Sequence, residues 1–171
     1  MTMIPSATRF GLGNIDDLTT PTSAAKYTLG EVLELEDSDV KTVKRYMYVY
    51  APSQCVAATP YMISWANTAG QEVQAITVAT MAAPGRLVGV PPATITATYY
   101  GWIQIQGTCT ALGAYTDTYC VTVQNATPAV FEDDASTTTV TAATIGIAKS
   151  AATTTGTIYL IGRPAVIATG A

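Results

Sequence analysis

A chain of 171 residues has room for one core, and its charged residues, 12% against about 25% in an ordinary soluble domain, give a surface poorly suited to standing alone in water. The net charge of −4 and a pI near 4.5 exclude the basic footprint of a nucleic-acid binder, so no nucleic-acid partner is expected. No run approaches the roughly eighteen apolar residues of a spanning helix, and Met1 to Leu12 lacks the pattern of a secretory leader; no membrane partner and synthesis in the cytoplasm are the expectations.

Residues 1–27 are rich in Thr, Pro, Ser and Gly, with Asp16 and Asp17 in the middle and no hydrophobic period. They read as an extended N-terminal arm that buries too little apolar surface to order alone and would order against a partner, or as a frayed terminus. From Tyr27 the pattern changes, and residues 28–36 read as a strand followed by a turn at Asp37-Ser38-Asp39. In residues 43–50, Val43, Arg45, Met47 and Val49 alternate with Lys44, Tyr46, Tyr48 and Tyr50, a period of two that predicts the second strand of a hairpin over 28–51.

Gln71 to Thr80 fits a strand, with a helix not excluded, and Pro84-Gly85 marks a turn. Arg86 to Val90 is a short apolar run stopped by Pro91-Pro92, because proline cannot donate to a ladder. Ile95 to Gln106 predicts a central strand. Tyr119 to Val123, Ala129 to Phe131, Thr144 to Ala148 and Thr157 to Ile161 predict further strands, with Glu132-Asp133-Asp134 an acidic turn. Short runs separated by turn residues, in a chain one-third alanine and threonine, predict an all-β fold: a single β-sandwich or β-barrel-like domain over 28–171.

The chain has no histidine, which removes the usual general base near neutral pH and the commonest metal ligand. Cys55, Cys109 and Cys120 have no paired zinc spacing and read as buried thiols, although a hairpin over 109–120 could bring the last two together. The acidic groups 16–17, 34–39 and 132–134 lack a diagnostic calcium or glycosidase spacing and read as solvated charges. Gly11-Leu12-Gly13 and the glycines at 85 and 89 lack the context of a phosphate loop. Lys41, Lys44 and Arg45 beside Tyr46, Tyr48 and Tyr50 could stack on single-stranded nucleic acid, which the acidic balance opposes. No enzyme activity, cofactor or metal is expected. The three tyrosines share one strand face that reads equally as core or as interface, and Trp102 reads as core.

Tyr99-Tyr100-Gly101-Trp102-Ile103-Gln104-Ile105-Gln106-Gly107, followed by Thr144-Ile145-Gly146-Ile147-Ala148 and Thr157-Ile158-Tyr159-Leu160-Ile161, resembles the strands of tailed-bacteriophage capsid decoration, or cement, proteins. The hairpin Leu29 to Tyr50 is similar to the first segment of that family; the arm, residues 57–71 and the cysteines have no counterpart in it. The resemblance implies a β-domain, often a homotrimer, on the outer capsid surface of the virion, clamping neighbouring copies of the major capsid protein. On that reading Asp16, Asp17, Tyr46, Tyr48, Tyr50 and Trp102 are the candidate contacts to capsid or neighbouring subunit. The other reading is a carbohydrate- or host-binding β-module of a phage fibre or spike, with exposed aromatics stacking on sugars.

Overall fold

The computed structural model describes residues 3–5, 18–37, 42–67, 70–75, 87–123, 130–134 and 144–162. These residues form eleven strands and no α-helix: β1 (Met3–Pro5), β2 (Val32–Asp37), β3 (Thr42–Ala51), β4 (Tyr61–Asn67), β5 (Gly70–Ala75), β6 (Leu87–Gly89), β7 (Tyr99–Ala114), β8 (Cys120–Val123), β9 (Phe131–Asp133), β10 (Gly146–Ala148) and β11 (Thr155–Ile161). The all-β expectation holds, in its barrel form.

β7 is the spine. Its first half pairs antiparallel with β3, from Ala51↔Tyr99 to Arg45↔Gln106, and its second half pairs antiparallel with β11, from Ile161↔Gln106 to Thr155↔Leu112. One strand thereby serves two rings. β7, β9, β8, β10 and β11 pair in that order and close on themselves through the β11–β7 ladder, a five-stranded barrel. Inside lie Ala111, Tyr115, Val121, Val123, Phe131, Ile145, Ala148, Ile158 and Leu160, all buried. The other ring runs β3, β5, β4, β6 and back to β7, where a bridge between Val90 and Gln104 closes it with two hydrogen bonds of 2.8 Å. Met47, Val49, Ala51, Cys55, Tyr61, Ile63, Val73, Ile95, Ile103 and Ile105 fill it.

Between the two halves the β3–β7 register slips at Arg45/Tyr46. The Gln104 side-chain amide holds the irregularity, donating to the carbonyls of Gln106 (3.1 Å) and Thr108 (3.0 Å). Gly107 follows with φ +92, where a Cβ would sit 2.7 Å from the Val43 carbonyl oxygen, so only glycine suits this crossing.

β2 and β3 form the expected hairpin, Val32↔Met47 to Asp37↔Thr42, and β1 adds to the outer edge of β2. The expected central strand exists but continues eight residues further, to Ala114. β4 lies in the stretch that matched no expected strand. The predicted turn at Pro84-Gly85 and the glycines at 11 and 13 lie outside the described residues.

Candidate interaction surface

The outward row of the β3–β7 ladder is aromatic because period-two alternation puts Tyr46, Tyr48 and Tyr50 on one face, and the antiparallel register sets Tyr48 opposite Trp102 and Tyr50 opposite Tyr100. The rings interlock. Tyr48 and Trp102 lie 5.2 Å apart by centroid, and Tyr27 packs on both, edge-on to Tyr48 at 5.1 Å and tilted on Trp102 at 5.1 Å. Tyr50 and Tyr100 continue the row at 5.1 Å. Leu18, Leu33 and Leu35 complete this cluster with Tyr46, Tyr48 and Trp102, and Tyr27, Leu29 and Tyr100 pack against it.

Residues 18–27, expected to stay free until a partner orders them, are therefore part of the domain's own covering layer. The reason is local: Leu18 and Tyr27 supply the apolar area, and the backbone of Thr22 exchanges two 2.9 Å hydrogen bonds with Tyr100. The Tyr48 hydroxyl accepts from the Lys26 amide at 3.1 Å, which satisfies a buried phenol. Of the candidate contacts, Tyr46, Tyr48 and Trp102 are each 2% exposed and belong to the core of this layer; Tyr50 is half-buried at its margin, and Asp16 and Asp17 lie outside the described residues. Tyrosines under a cover cannot stack on bases. Of the basic cluster beside them, Lys44 is buried, Arg45 pairs with Glu34 at 2.6 Å, and Lys41 lies outside the described residues.

Two further sequence readings are corrected. The acidic stretch 132–134 is not a solvated tip: Asp133 accepts from the Thr116 amide and hydroxyl, both at 2.8 Å, and buried Asp134 accepts from the Thr144 hydroxyl at 2.6 Å. These carboxylates fasten the end of β9 to the loop after β7 and to the segment before β10. Cys109 and Cys120 are not hairpin partners either, since β9 stands between β7 and β8; Cys109 faces Ile158, Cys120 faces Ile147, and all three thiols are free. Burial pushes the Cys55 thiol up to about 12 and Cys109 likewise to about 12, the latter against the pull of nearby Lys44. Neither thiol forms the nucleophilic thiolate near neutral pH.

Each ring is plugged at one end by a bridge between two loops: Cys55↔Ile95 in the first and Tyr115↔Ala152 in the second. The bridging residues point inward, whereas Val56 beside Cys55 is 49% exposed and, with Val43 at 45%, is one of the large apolar side chains open to solvent. At the Tyr115 end a cleft of about 460 Å³ opens between Leu112, Gly113, Ala114, Val130, Phe131, Glu132, Thr153 and Thr154. Glu132 is its one carboxylate, so the lining offers shape and hydroxyls, with no acid–base pair. Among the described residues no three Cys, Asp or Glu gather as a ligand set.

No family model, curated protein or solved structure matches this chain.

Proposed function

We propose that the protein is a structural component of a phage virion, binding the outer capsid surface as a homotrimer and holding neighbouring major capsid proteins together. The observation that carries this reading is the outer row of the β7–β11 ladder, where Gln106, Thr108, Thr110, Leu112, Thr157, Tyr159 and Ile161 face outward without a formal charge between Arg45 at one margin and Lys149 at the other. Such a face is a poor water-facing surface and a good mate for another protein. The stretches that resemble decoration proteins fall on β2–β3, on the half of β7 that pairs with β3, and on β10 and β11, which pair with each other. A body of two rings sharing one long strand suits a clamp, and weak contacts repeated over a lattice gain through effective concentration.

Incubating the purified chain with capsids that lack it, then sedimenting the shells, tests the proposal. Saturable co-sedimentation at a fixed ratio to the major capsid protein is expected; a chain that stays in the supernatant at every concentration removes the reading. The carbohydrate-module alternative has less to stand on, since Trp102, Tyr46 and Tyr48 are covered and, among the described residues, the rings left to stack on a sugar are half-buried ones such as Tyr50, Tyr99 and Tyr100. A glycan screen that returned a specific ligand would favour it.

A further inference from the structure

The two rings are two copies of one unit. In each, a first strand leads through a plug loop to three short strands and a second plug loop into a last strand: β3, β4, β5, β6, β7 and then β7, β8, β9, β10, β11. First and last strands pair antiparallel, first and third pair parallel, and the second pairs antiparallel with both third and fourth, in both units. Counting from the plug bridges Cys55↔Ile95 and Tyr115↔Ala152, the pair Ala51↔Tyr99 corresponds to Ala111↔Gly156, and Tyr61↔Gly89 corresponds to Val121↔Gly146.

Three plug loops make the same turn: Ala58, Thr98 and Thr118 have φ of 63, 67 and 66, and their amides donate to the carbonyls of Pro91 (3.1 Å), Ala51 (2.7 Å) and Ala148 (3.1 Å). Left-handed backbone at non-glycine residues in equivalent places is a property of the unit. The fourth loop departs from it. There the equivalent residue, Thr155, is already the first of β11 and pairs with Leu112, and the Thr154 carbonyl accepts from the Gly113 amide at 2.9 Å.

This departure builds the cleft at the Tyr115 end. β3 stops at Ala51, whereas β7 runs past the equivalent Ala111 to Ala114 and pairs there with β9 through Gly113↔Phe131 and Ala114↔Glu132. β9 comes so near that a Cβ at Gly113 would overlap the Phe131 carbonyl oxygen. The extended end of β7, the start of β9 and Thr153 and Thr154 of the altered loop are the walls of the space of about 460 Å³, a size that suits a small ligand or an inserted side chain. The ring itself does not need this arrangement, since the first unit closes with the common turn.

One group in the cleft is left over by the fold. Of the neighbouring carboxylates at 132–134, Asp133 is taken by Thr116 and Asp134 by Thr144, but the half-buried Glu132 carboxylate has no hydrogen-bond or ion-pair partner among the described residues. No basic side chain lines the space; Lys149, earlier in the altered loop, has its amide on the Thr157 carbonyl. A carboxylate without a partner, set among Leu112, Ala114 and Val130, calls for a cation on an apolar stem.

We infer that this cleft receives an arginine side chain from a partner protein. A guanidinium offers a planar fork of N–H donors, which can pair side by side with the Glu132 carboxylate and reach the hydroxyls of Thr153 and Thr154 at the rim. It is also more weakly hydrated than an ammonium, so apolar walls penalise it less than they would lysine. The source is a protein because Leu112 belongs both to the cleft and to the outer row of the β7–β11 ladder, and a partner lying along that row meets the cleft at its end. This names the chemistry of the partner in the proposed function and rests on that reading for the partner alone.

The test titrates the full chain, isotope-labelled for NMR, with N-acetylarginine methylamide and separately with its neutral isostere N-acetylcitrulline methylamide. The arginine compound is expected to shift the resonances of Leu112, Val130, Thr153 and Thr154 saturably. It should bind the wild type on the order of tenfold more tightly than the citrulline compound does, and more tightly than it binds Glu132→Gln by a similar factor. No binding, shifts outside the cleft, equal binding of the two compounds or an unaffected Glu132→Gln overturns the inference. The comparison of compounds needs only the wild type, so it decides even if the variant fails to fold. On shells, Glu132→Gln should weaken co-sedimentation by a similar factor, and a variant that attaches as tightly as the wild type overturns the assignment of the arginine to the capsid partner. A wild type that prefers the arginine compound yet ignores shells removes the capsid reading and leaves the cleft standing.

Discussion

Gly113 and Cys55 show how much of this fold rests on single side chains. Gly113 sits where β7 begins its parallel pairing with β9, and a Cβ there would overlap the carbonyl oxygen of Phe131. Gly113→Ala should therefore cost about 2 kcal/mol or more, measured as a shift in the urea midpoint, because backbone and not a flexible side chain must move. Cys55 makes a prediction about pH. Its thiol ionises near 9.0 when free and near 12 in the fold, with burial of Tyr61 and Tyr115 acting in the same direction. Above pH 9 the unfolded chain loses a proton that the folded chain keeps, so stability is undiminished below pH 9 and falls as pH rises toward 12. Melting temperatures across that window should drop, and the drop should be smaller in Cys55→Ala; equal slopes in the two proteins would show that this thiol is not the cause.

At the level of elements, the cover over the aromatic row is the part most open to test. Tyr27→Ala removes ring contacts to both Tyr48 and Trp102 and should destabilise by about 3 kcal/mol. In a Trp65→Phe background, where Trp102 is the remaining tryptophan, deletion of residues 1–27 should shift emission to the red as the covered ring meets water; an unshifted spectrum would mean that these residues do not shield it.

The hairpin β2–β3 was legible because its alternation of apolar and polar residues survives in the sequence. β4 was not, since Tyr61, Met62, Ile63 and Ser64 are all buried and a strand covered on both faces has no alternation to read. The end of β7 was missed because Thr108, Thr110 and Leu112 on one face and Cys109, Ala111 and Gly113 on the other differ too little in polarity to mark a strand. Tyr46, Tyr48 and Trp102 could be seen as one aromatic group, but whether they were core or interface depended on what residues 18–35 cover, a contact between segments far apart in sequence. The repeat was invisible for the same reason: equivalent positions such as Trp102 and Tyr159 or Cys55 and Tyr115 share a place in the pairing scheme and little else.

For the whole molecule, the two units differ in how they close. Each has a long antiparallel ladder, β3–β7 in the first and β7–β11 in the second, but the other joins to that ladder are β10–β11 and β7–β9 pairings of three and two residue pairs in the second and, in the first, the single Val90–Gln104 bridge and the single pair Tyr50↔Glu72. Native-state hydrogen exchange should accordingly find β5 and β6 opening well before β7 and β11, and uniform protection across both rings would contradict this ordering. The most direct measurement is calorimetry of capsids lacking the protein, with and without the purified chain added in saturating amount. The account predicts that the shell transition moves to higher temperature in proportion to bound protein, and a transition that stays where it was with the chain present would contradict it.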